Sequence, residues 1–338
     1  MPGRHRGLFT VLLAVGVVGG LPQASAEPAH RENGRPSDPE LRRCDDPAQR
    51  GNGPEHCARG RAAPRPTGVN GAIALRNGQP PTRITGAYRV IETTPDTVAR
   101  NVVIDGLVGD DLQRGGIRLR GHLTNITIRN SEFRFRREPQ VAPHLPACLE
   151  IGDKGDSRIE GLLIQNVTCE GFQMTREPNK YWNGDGPAIE SNVSGVVIDN
   201  LVSRNSTDGC ADIKPIFRAT RMVLGGCKLQ LRAWRGGEVD ELQIETPIRR
   251  GGRGAVGGIW LRGNALEPPS LHIHKLIVRF SSSSPIFVVA EGPANIRVDE
   301  CDIQAPAGTP WTTATHPMMR WDLGPSCTAF ASPRQVVP

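Results

Sequence analysis

Short runs of alternating apolar and polar residues recur along the chain from about residue 73 onward. Within each run the apolar residues stand two apart, which is the spacing that places side chains on one face of a β-strand. Gly, Asn or Asp residues end the runs, as they do in turns. No stretch after the first 26 residues sustains the period of an amphipathic helix. The pattern therefore predicts an all-β chain built from many short strands.

The runs repeat along the chain, and one aliphatic anchor can be followed from each run to the next. The anchors stand 20 to 36 residues apart and are Ile104, Ile128, Ile164, Ile198, Leu224, Ile244, Ile273 and Val298. Repeats of this length are typical of solenoids, whose units bury apolar side chains by stacking on their neighbours. Leucine-rich repeats share the period, but their leucine and asparagine ladder is missing. We therefore predict a right-handed parallel β-helix of about eight or nine coils over residues 69–330.

A second set of runs, lying between the anchors, carries charges at its polar positions. These outward positions hold Arg118, Glu150, Glu190, Asp212, Lys214, Arg232 and Arg262. Because neighbouring strands of a sheet lie about 4.8 Å apart, we expect the charges to be close neighbours. Extra residues at 134–147, 172–185 and 249–257 lengthen three repeats and are predicted to wall a groove beside the charged strands.

Two Asp-Gly pairs precede the charged strands at Asp185 and Asp208. Asp-Gly is a common turn sequence, so the pairs can be explained by the turns alone. Together with Asp212, however, they offer the several carboxylates that calcium prefers on a rigid frame. Both interpretations stay open at this stage, with calcium as the candidate cofactor.

Lys214 and Arg232 are the candidate catalytic residues. A lysine or arginine among other cations loses its proton more readily and can act as a base on a sugar carbon beside a carboxylate. The alternative is an ion-pair ladder of Lys214 with Glu190 and Asp212. Trp182, Trp234 and Trp260 offer flat faces on which a sugar ring can stack, although the last two are also explained as covering for a strand. We predict substrate binding by four side chains: Glu190, Trp182, Trp234 and Arg262.

The first 26 residues have the features of a secretory signal, with Arg4 and Arg6 followed by an apolar segment over residues 8–18. Residues 27–68 are rich in Pro, Gly and Arg and are predicted to form an irregular segment. Export into an oxidising compartment predicts disulfides among the eight cysteines, for which we expect neighbours to pair: 44–57, 148–169, 210–227 and 301–327. Zinc is a less favoured alternative, because no C-x-x-C is present.

The formal net charge of +6 is spread along the chain, so we do not expect nucleic-acid binding. Four asparagines stand in N-x-S/T sequences: Asn125, Asn166, Asn192 and Asn205. The composition is typical of bacteria, and we interpret these asparagines as turn residues rather than glycosylation sites. We expect a monomeric protein, secreted or periplasmic, with no membrane insertion after signal cleavage.

With its coil repeat over residues 73–326, the chain resembles the pectate-lyase-like superfamily of right-handed parallel β-helix proteins. The sequences W-N-G-D-G-P-A-I-E-S-N at 182 and N-S-T-D-G-C-A-D-I-K at 205 look most like the lyases that pair calcium-binding aspartates with a lysine base. This resemblance implies calcium ligands at Asp185, Asp208 and Asp212. It further implies that Lys214 is the base and that Arg232 holds the substrate carboxylate.

We therefore predict an exported polysaccharide lyase that cleaves a uronic-acid-containing polysaccharide by β-elimination. One alternative is a non-catalytic β-helix that binds a surface glycan or a protein. Another is a glycoside hydrolase that uses Asp208 and Asp212 as acid and base, since Asn205 to Asp208 loosely matches the N-T-D of polygalacturonases.

Overall fold

The computed structural model describes residues 82–135, 139–141, 145–262, 266–282, 286–309 and 319–328. The predicted signal sequence, the segment over residues 27–68 and the Cys44–Cys57 pair lie outside the described residues. In chain order, the elements are β1 (Thr82–Thr85), β2 (Arg89–Glu92), β3 (Val98–Asp105), β4 (Leu107–Leu112), β5 (Gly115–Leu119), β6 (His122–Phe135), β7 (Gln140–Val141), β8 (Ala147–Ile151), β9 (Arg158–Glu170), β10 (Met174–Thr175), β11 (Asp185–Ile189), β12 (Val193–Arg204), β13 (Gly209–Ile213), β14 (Phe217–Gly225), β15 (Leu229–Ala233), β16 (Gly236–Glu245), β17 (Gly257–Leu261), β18 (Ser270–Arg279), β19 (Ile286–Ala290), β20 (Ala294–Gln304), β21 (Met319–Leu323) and the one-turn helix α1 (Pro325–Thr328).

The strands form two large sheets in which every pairing is parallel. The first sheet has 11 strands in the order β1-β4-β6-β9-β12-β14-β16-β18-β20-β21, with β3 also paired to β6. The second has eight strands in the order β19-β17-β15-β13-β11-β8-β5-β2, and β7 pairs with β10 separately. From β11 to β20 the chain visits the two sheets in strict alternation. The fold is therefore all-β, as predicted.

Aliphatic residues stack along the first sheet in one continuous row. The row runs through Ile104, Ile128, Ile164, Ile198, Ala219, Val239, Ile273 and Val298. Six of the predicted anchors lie in it, but Leu224 and Ile244 do not. These two pair with each other in a row five residues farther along, because the strands are long enough to send two sets of side chains into the core. The repeat was therefore found, but its register was wrong at these two strands.

Three of the predicted cysteine pairs are bonded: Cys148–Cys169, Cys210–Cys227 and Cys301–Cys327. Five of these six cysteines are fully buried, so the disulfides join strands and connections inside the core. Among the described residues, no helix is long and apolar enough to cross a membrane.

Asparagines with positive φ mark the bends of the long strands. Asn125, Asn166 and Asn205 of the N-x-S/T sequences all have φ between 51° and 61°, which only glycine and asparagine adopt readily. The side chains of Asn130, Asn166 and Asn200 also hydrogen bond in sequence across three strands, at 3.2 and 3.0 Å. This geometry agrees with their interpretation as turn residues.

Candidate functional site

The predicted charged residues lie on adjacent strands of the second sheet, on the face that points away from the core. Asp212 in β13 stands beside Arg232 in β15, and Arg232 stands beside Trp260 in β17. Two residues farther along each strand, the next row contains Lys214, Trp234 and Arg262. The parallel register thus brings the candidates of three strands together, as the sequence predicted.

Asp208 lies at the centre of a buried polar network just before β13. Its carboxylate accepts hydrogen bonds from the Tyr181 hydroxyl at 2.8 and 2.6 Å. It pairs with Lys228 Nζ at 2.6 Å and with an Arg232 guanidinium nitrogen at 2.8 Å. The side chains of Asp208 and Lys228 are 0% and 1% exposed, so these contacts replace water entirely. A buried charge pair of this kind persists only when its partners compensate for the lost hydration.

Two of the predicted insertions close over Lys228. Its Nζ lies 3.9 Å from the centre of the Tyr181 ring, on the 172–185 insertion, and 3.4 Å from the carbonyl oxygen of Arg253, on the 249–257 insertion. The Arg253 backbone also donates to the Lys180 carbonyl, which ties the two insertions together. These two insertions, which we call the roof, therefore cover the buried network, in addition to any wall that they form beside a groove.

Trp182 belongs to this roof. Its ring lies directly against the backbone of Gly251 and Gly252, where even an added Cβ would overlap it. Its indole nitrogen donates to the Glu177 carbonyl at 3.0 Å. Predicted to bind substrate, Trp182 here packs one insertion onto the other.

Trp234 forms a second centre on the same face. Its indole nitrogen donates to Asp212 at 2.6 Å, and its ring meets Trp260 edge-on at 4.9 Å between centroids. Lys214 Nζ lies 5.6 Å from the Trp234 ring centre, and the guanidinium carbons of Arg232 and Arg262 lie at 5.6 and 5.5 Å. Trp234 is half-buried and Arg262 is exposed. Three cations therefore surround one accessible aromatic ring, each within cation–π range.

Asp185 lies beside the network at the start of β11. The Gly209 amide donates to its Oδ1 at 2.8 Å. Burial, together with the nearby carboxylates of Asp208 and Asp212, raises the pKa of Asp185 to about 8. At neutral pH this group therefore carries a proton, in contrast to an ordinary aspartate.

Burial and neighbouring charges also shift the pKa values of two other groups of the network, Tyr181 and Arg232. Burial, and then Asp208, raises the pKa of Tyr181, which keeps the hydroxyl a hydrogen-bond donor. For Arg232, burial acts to lower the pKa, but Asp212 and Asp208 outweigh it and raise the value. Arg232 therefore stays charged between the two aspartates, with contacts of 2.8 and 3.2 Å.

Lys214 and Glu190 pair with each other at 2.5 Å at the far end of the strands. Their side chains are 17% and 20% exposed, and Lys214 is not among the cations that hold Asp208. The pair agrees with the Glu190 part of the ion-pair ladder that was the alternative to a catalytic base, whereas Asp212 pairs with Arg232. A base role for Lys214 requires its ammonium group to give up a proton first.

Asp208 and Asp212 do not present the free oxygens that a calcium ion needs. Both oxygens of Asp208 are taken by Tyr181, Lys228 and Arg232. Those of Asp212 are taken by Trp234 and Arg232. Within the described part of the chain, the one group of three side chains whose ligand atoms converge lies elsewhere, at Glu238, His272 and His274. With two of the three expected ligands engaged in this way, the residues present do not fit calcium.

The sequence prediction missed Lys228 and gave Tyr181 only a place on an insertion. One signal could have found Lys228. It directly precedes β15 as Asp208 directly precedes β13, and the Leu229 amide donates to the Asp208 carbonyl. Two opposite charges at equivalent positions of adjacent repeats predict a contact between them.

No protein-family model, curated protein or solved structure matches this chain.

Proposed function

We propose that the chain is an exported, carbohydrate-active β-helix protein that binds an acidic polysaccharide along the outer face of its second sheet. The coil arrangement is supported by the alternation of strands between two parallel sheets. Connections between parallel strands of one sheet are right-handed in about 98% of cases, which favours a right-handed winding. Export agrees with three disulfides, which persist in oxidising compartments.

The observation that carries this proposal is the ring of cations around Trp234. An aromatic face supplies the apolar surface on which a sugar ring stacks, and Lys214 and Arg262 flank that face at 5.6 and 5.5 Å. A neutral sugar has no use for two cations beside its stacking platform. A uronate carries a carboxylate that both can contact, so the chemistry favours an acidic chain.

We infer β-elimination as the reaction, since it is the one that needs a cation at the substrate carboxylate. As the proton next to that carboxylate leaves, negative charge builds up on its oxygens, and a fixed cation stabilises it. Arg262 is better suited to this role than Arg232, because Arg262 is exposed while Arg232 is held by Asp208 and Asp212.

Lys214 is the proposed proton acceptor on the same platform. Glu190, at 2.5 Å, is in position to take the ammonium proton and free the amine. The amine then takes the proton from the carbon beside the carboxylate, and the bond to the leaving sugar oxygen breaks with its electron pair. A proton from water completes the leaving hydroxyl, and the ring keeps a carbon–carbon double bond.

The test is to incubate the protein with a panel of uronic-acid polysaccharides and to follow the ultraviolet absorbance of the unsaturated product. We expect one substrate to give a steady rise. Lys214→Ala should abolish turnover while weakened polysaccharide binding remains, and Arg262→Ala should weaken binding without removing the base. Arg158→Ala, an exposed arginine of the first sheet, is the matched control and should change neither. Binding by every variant without any product would instead make the protein a glycan-binding module.

Hydrolysis is a second candidate, favoured by the proton that Asp185 retains. A carboxyl group with a pKa of about 8 beside two other carboxylates is the arrangement that supplies a general acid. Asp208 is too deeply buried for the acid role predicted from the sequence, since its side chain is 0% exposed. Release of reducing ends without new ultraviolet absorbance, lost in Asp185→Asn, would identify this reaction.

A further inference from the structure

The outer face of the first sheet carries two histidines that neither the proposed groove nor its chemistry uses. His272 and His274 flank the buried Ile273 in β18, so both point away from the core. Glu238 of β16 lies in the register position beside His272, and Asp299 of β20 lies beside His274. We call these four residues the histidine–carboxylate patch. The sequence separates its members by up to 61 positions, which is why their spacing along the chain gave no signal.

Hydrogen bonds already orient both imidazole rings. Asp299 Oδ2 contacts His272 Nε2 at 2.8 Å and His274 Nδ1 at 2.9 Å. The other nitrogen of His274, Nε2, faces Glu238 Oε1 at 3.0 Å. A histidine that binds a metal usually gives its second ring nitrogen to a carboxylate, which fixes the ring and its tautomer. Asp299 stands in that supporting position at His274 Nδ1, while His274 Nε2 points toward Glu238.

Three ligand atoms converge in the patch. One atom each from Glu238, His272 and His274 lies within 4.8 Å of the others, and all three residues are only partly buried. A zinc ion with ligand distances of about 2.0–2.2 Å would draw such atoms to about 3.4 Å apart, which side-chain rotation can supply. The exposed side leaves room for a water molecule as a fourth ligand.

The charges around the patch favour a divalent cation. Asp299 and Asp322 pair with Arg297, Arg218 lies near Glu238, and Asp240 lies 4.0 Å from His274 Nε2. These four carboxylates outnumber the two arginines, so the patch and its neighbours together are net negative unless both imidazoles are protonated. A cation that binds to neutral histidines and a carboxylate would neutralise it.

We propose that Glu238, His272 and His274 form a binding site for a transition-metal ion of the zinc class, with Asp299 as the residue that positions His274. Two imidazoles and one carboxylate suit Zn²⁺, Ni²⁺ or Cu²⁺ and not the oxygen-preferring Ca²⁺ or Mg²⁺. Because its ligands come from β16 and β18 and its support from β20, the ion links three consecutive strands of the first sheet. It therefore stabilises this part of the stack.

The test is calorimetric titration of ZnCl₂ into the disulfide-bonded protein after dialysis against a chelator, with MgCl₂ as the reference ion. We expect one zinc to bind per chain at this site and to raise the melting temperature, with no effect of magnesium. The double variant His272→Ala/His274→Ala should lose that binding and the rise in melting temperature. His122→Ala, which removes an exposed histidine of β6 outside the patch, is the matched control and should keep both.

Two further variants distinguish the proposed metal ligand Glu238 from the positioning residue Asp299. Glu238→Gln should weaken zinc binding at least as much as Asp299→Asn, for which the loss of a supporting carboxylate predicts about a 10- to 100-fold change. Unchanged zinc affinity in the double histidine variant, or the absence of zinc binding by the parent protein, would overturn the proposal. The patch would then be a network of histidine–carboxylate hydrogen bonds only.

Discussion

Two lysines of the second sheet form ion pairs in opposite surroundings. Lys228, directly before β15, is 1% exposed and contacts Asp208 under the two insertions. Lys214, directly after β13, is 17% exposed and contacts Glu190 on the open face. Sequence analysis predicted Lys214 as the catalytic lysine, because its neighbours in the strand are charged. The Lys228–Asp208 pair therefore contributes more to folding stability, because it is buried. The segments that bury it are distant from it in sequence.

Replacing each lysine by methionine should reveal the largest difference in stability between the two pairs. Lys228→Met leaves Asp208 buried with one cation fewer, and the expected loss is about 3–5 kcal/mol of unfolding free energy. Lys214→Met removes a partly exposed pair and should cost about 1 kcal/mol or less. Denaturant unfolding of the two variants measures both values. Adding Asp208→Asn to Lys228→Met should recover part of the loss, because Arg232 then faces one carboxylate, Asp212, instead of two.

Equal losses for the two single variants would contradict this account of burial. A loss for Lys228→Met that Asp208→Asn does not reduce would show that packing of the methylene chain, and not the buried charge, is responsible.

The fold was accessible from the sequence because its signal is periodic and local. Apolar residues two apart predicted the strands, and their recurrence predicted the parallel stacking of Ile104, Ile128, Ile164 and Ile198. The predicted register was wrong at Leu224 and Ile244, because a long strand has two sets of inward-facing side chains that look alike in sequence. Only the pairing of whole strands decides between them.

The site was accessible only in part. The strand register places Asp212 beside Arg232, as predicted, and Asp185 and Asp208 lie close to them. The contact of Tyr181 with Asp208 depends on how an insertion folds back, and no periodic pattern encodes that. The same limit applies to the histidine–carboxylate patch, whose members meet only through the stacking of three strands.

Substitution of Gly209 tests how tightly the side chains of the buried network are packed. A Cβ at this position would lie 3.0 Å from Asp185 Oδ1 and 3.3 Å from Arg232 Cδ. Gly209→Ala therefore crowds the centre of the network, and overpacking of this kind costs about 1–3 kcal/mol. Thermal unfolding measures the change. Gly155→Ala is the control, because its added Cβ would meet nothing closer than 3.5 Å and should change stability by less than about 0.5 kcal/mol.

If Gly209→Ala destabilised the protein as little as Gly155→Ala, the side chains of the network would be able to move away from the added Cβ. In that case the rigid placement of Asp185 against the Gly209 amide would be wrong.

A pH dependence of the unfolding free energy should also arise at Asp185 in the buried network. The pKa of Asp185 is raised from 3.8 to about 8 in the folded chain, so between these values the folded state holds a proton that the unfolded state has released. Stability therefore falls as pH rises through this window, because the unfolded state binds fewer protons. Asp185→Asn cannot ionise, and its stability should fall less between about pH 5 and about pH 8. Glu190→Gln removes a carboxylate at the exposed end and should keep the slope of the parent protein. Denaturant midpoints across this range measure the three slopes, and a slope for Asp185→Asn equal to that of the parent would show that Asp185 is already ionised at neutral pH.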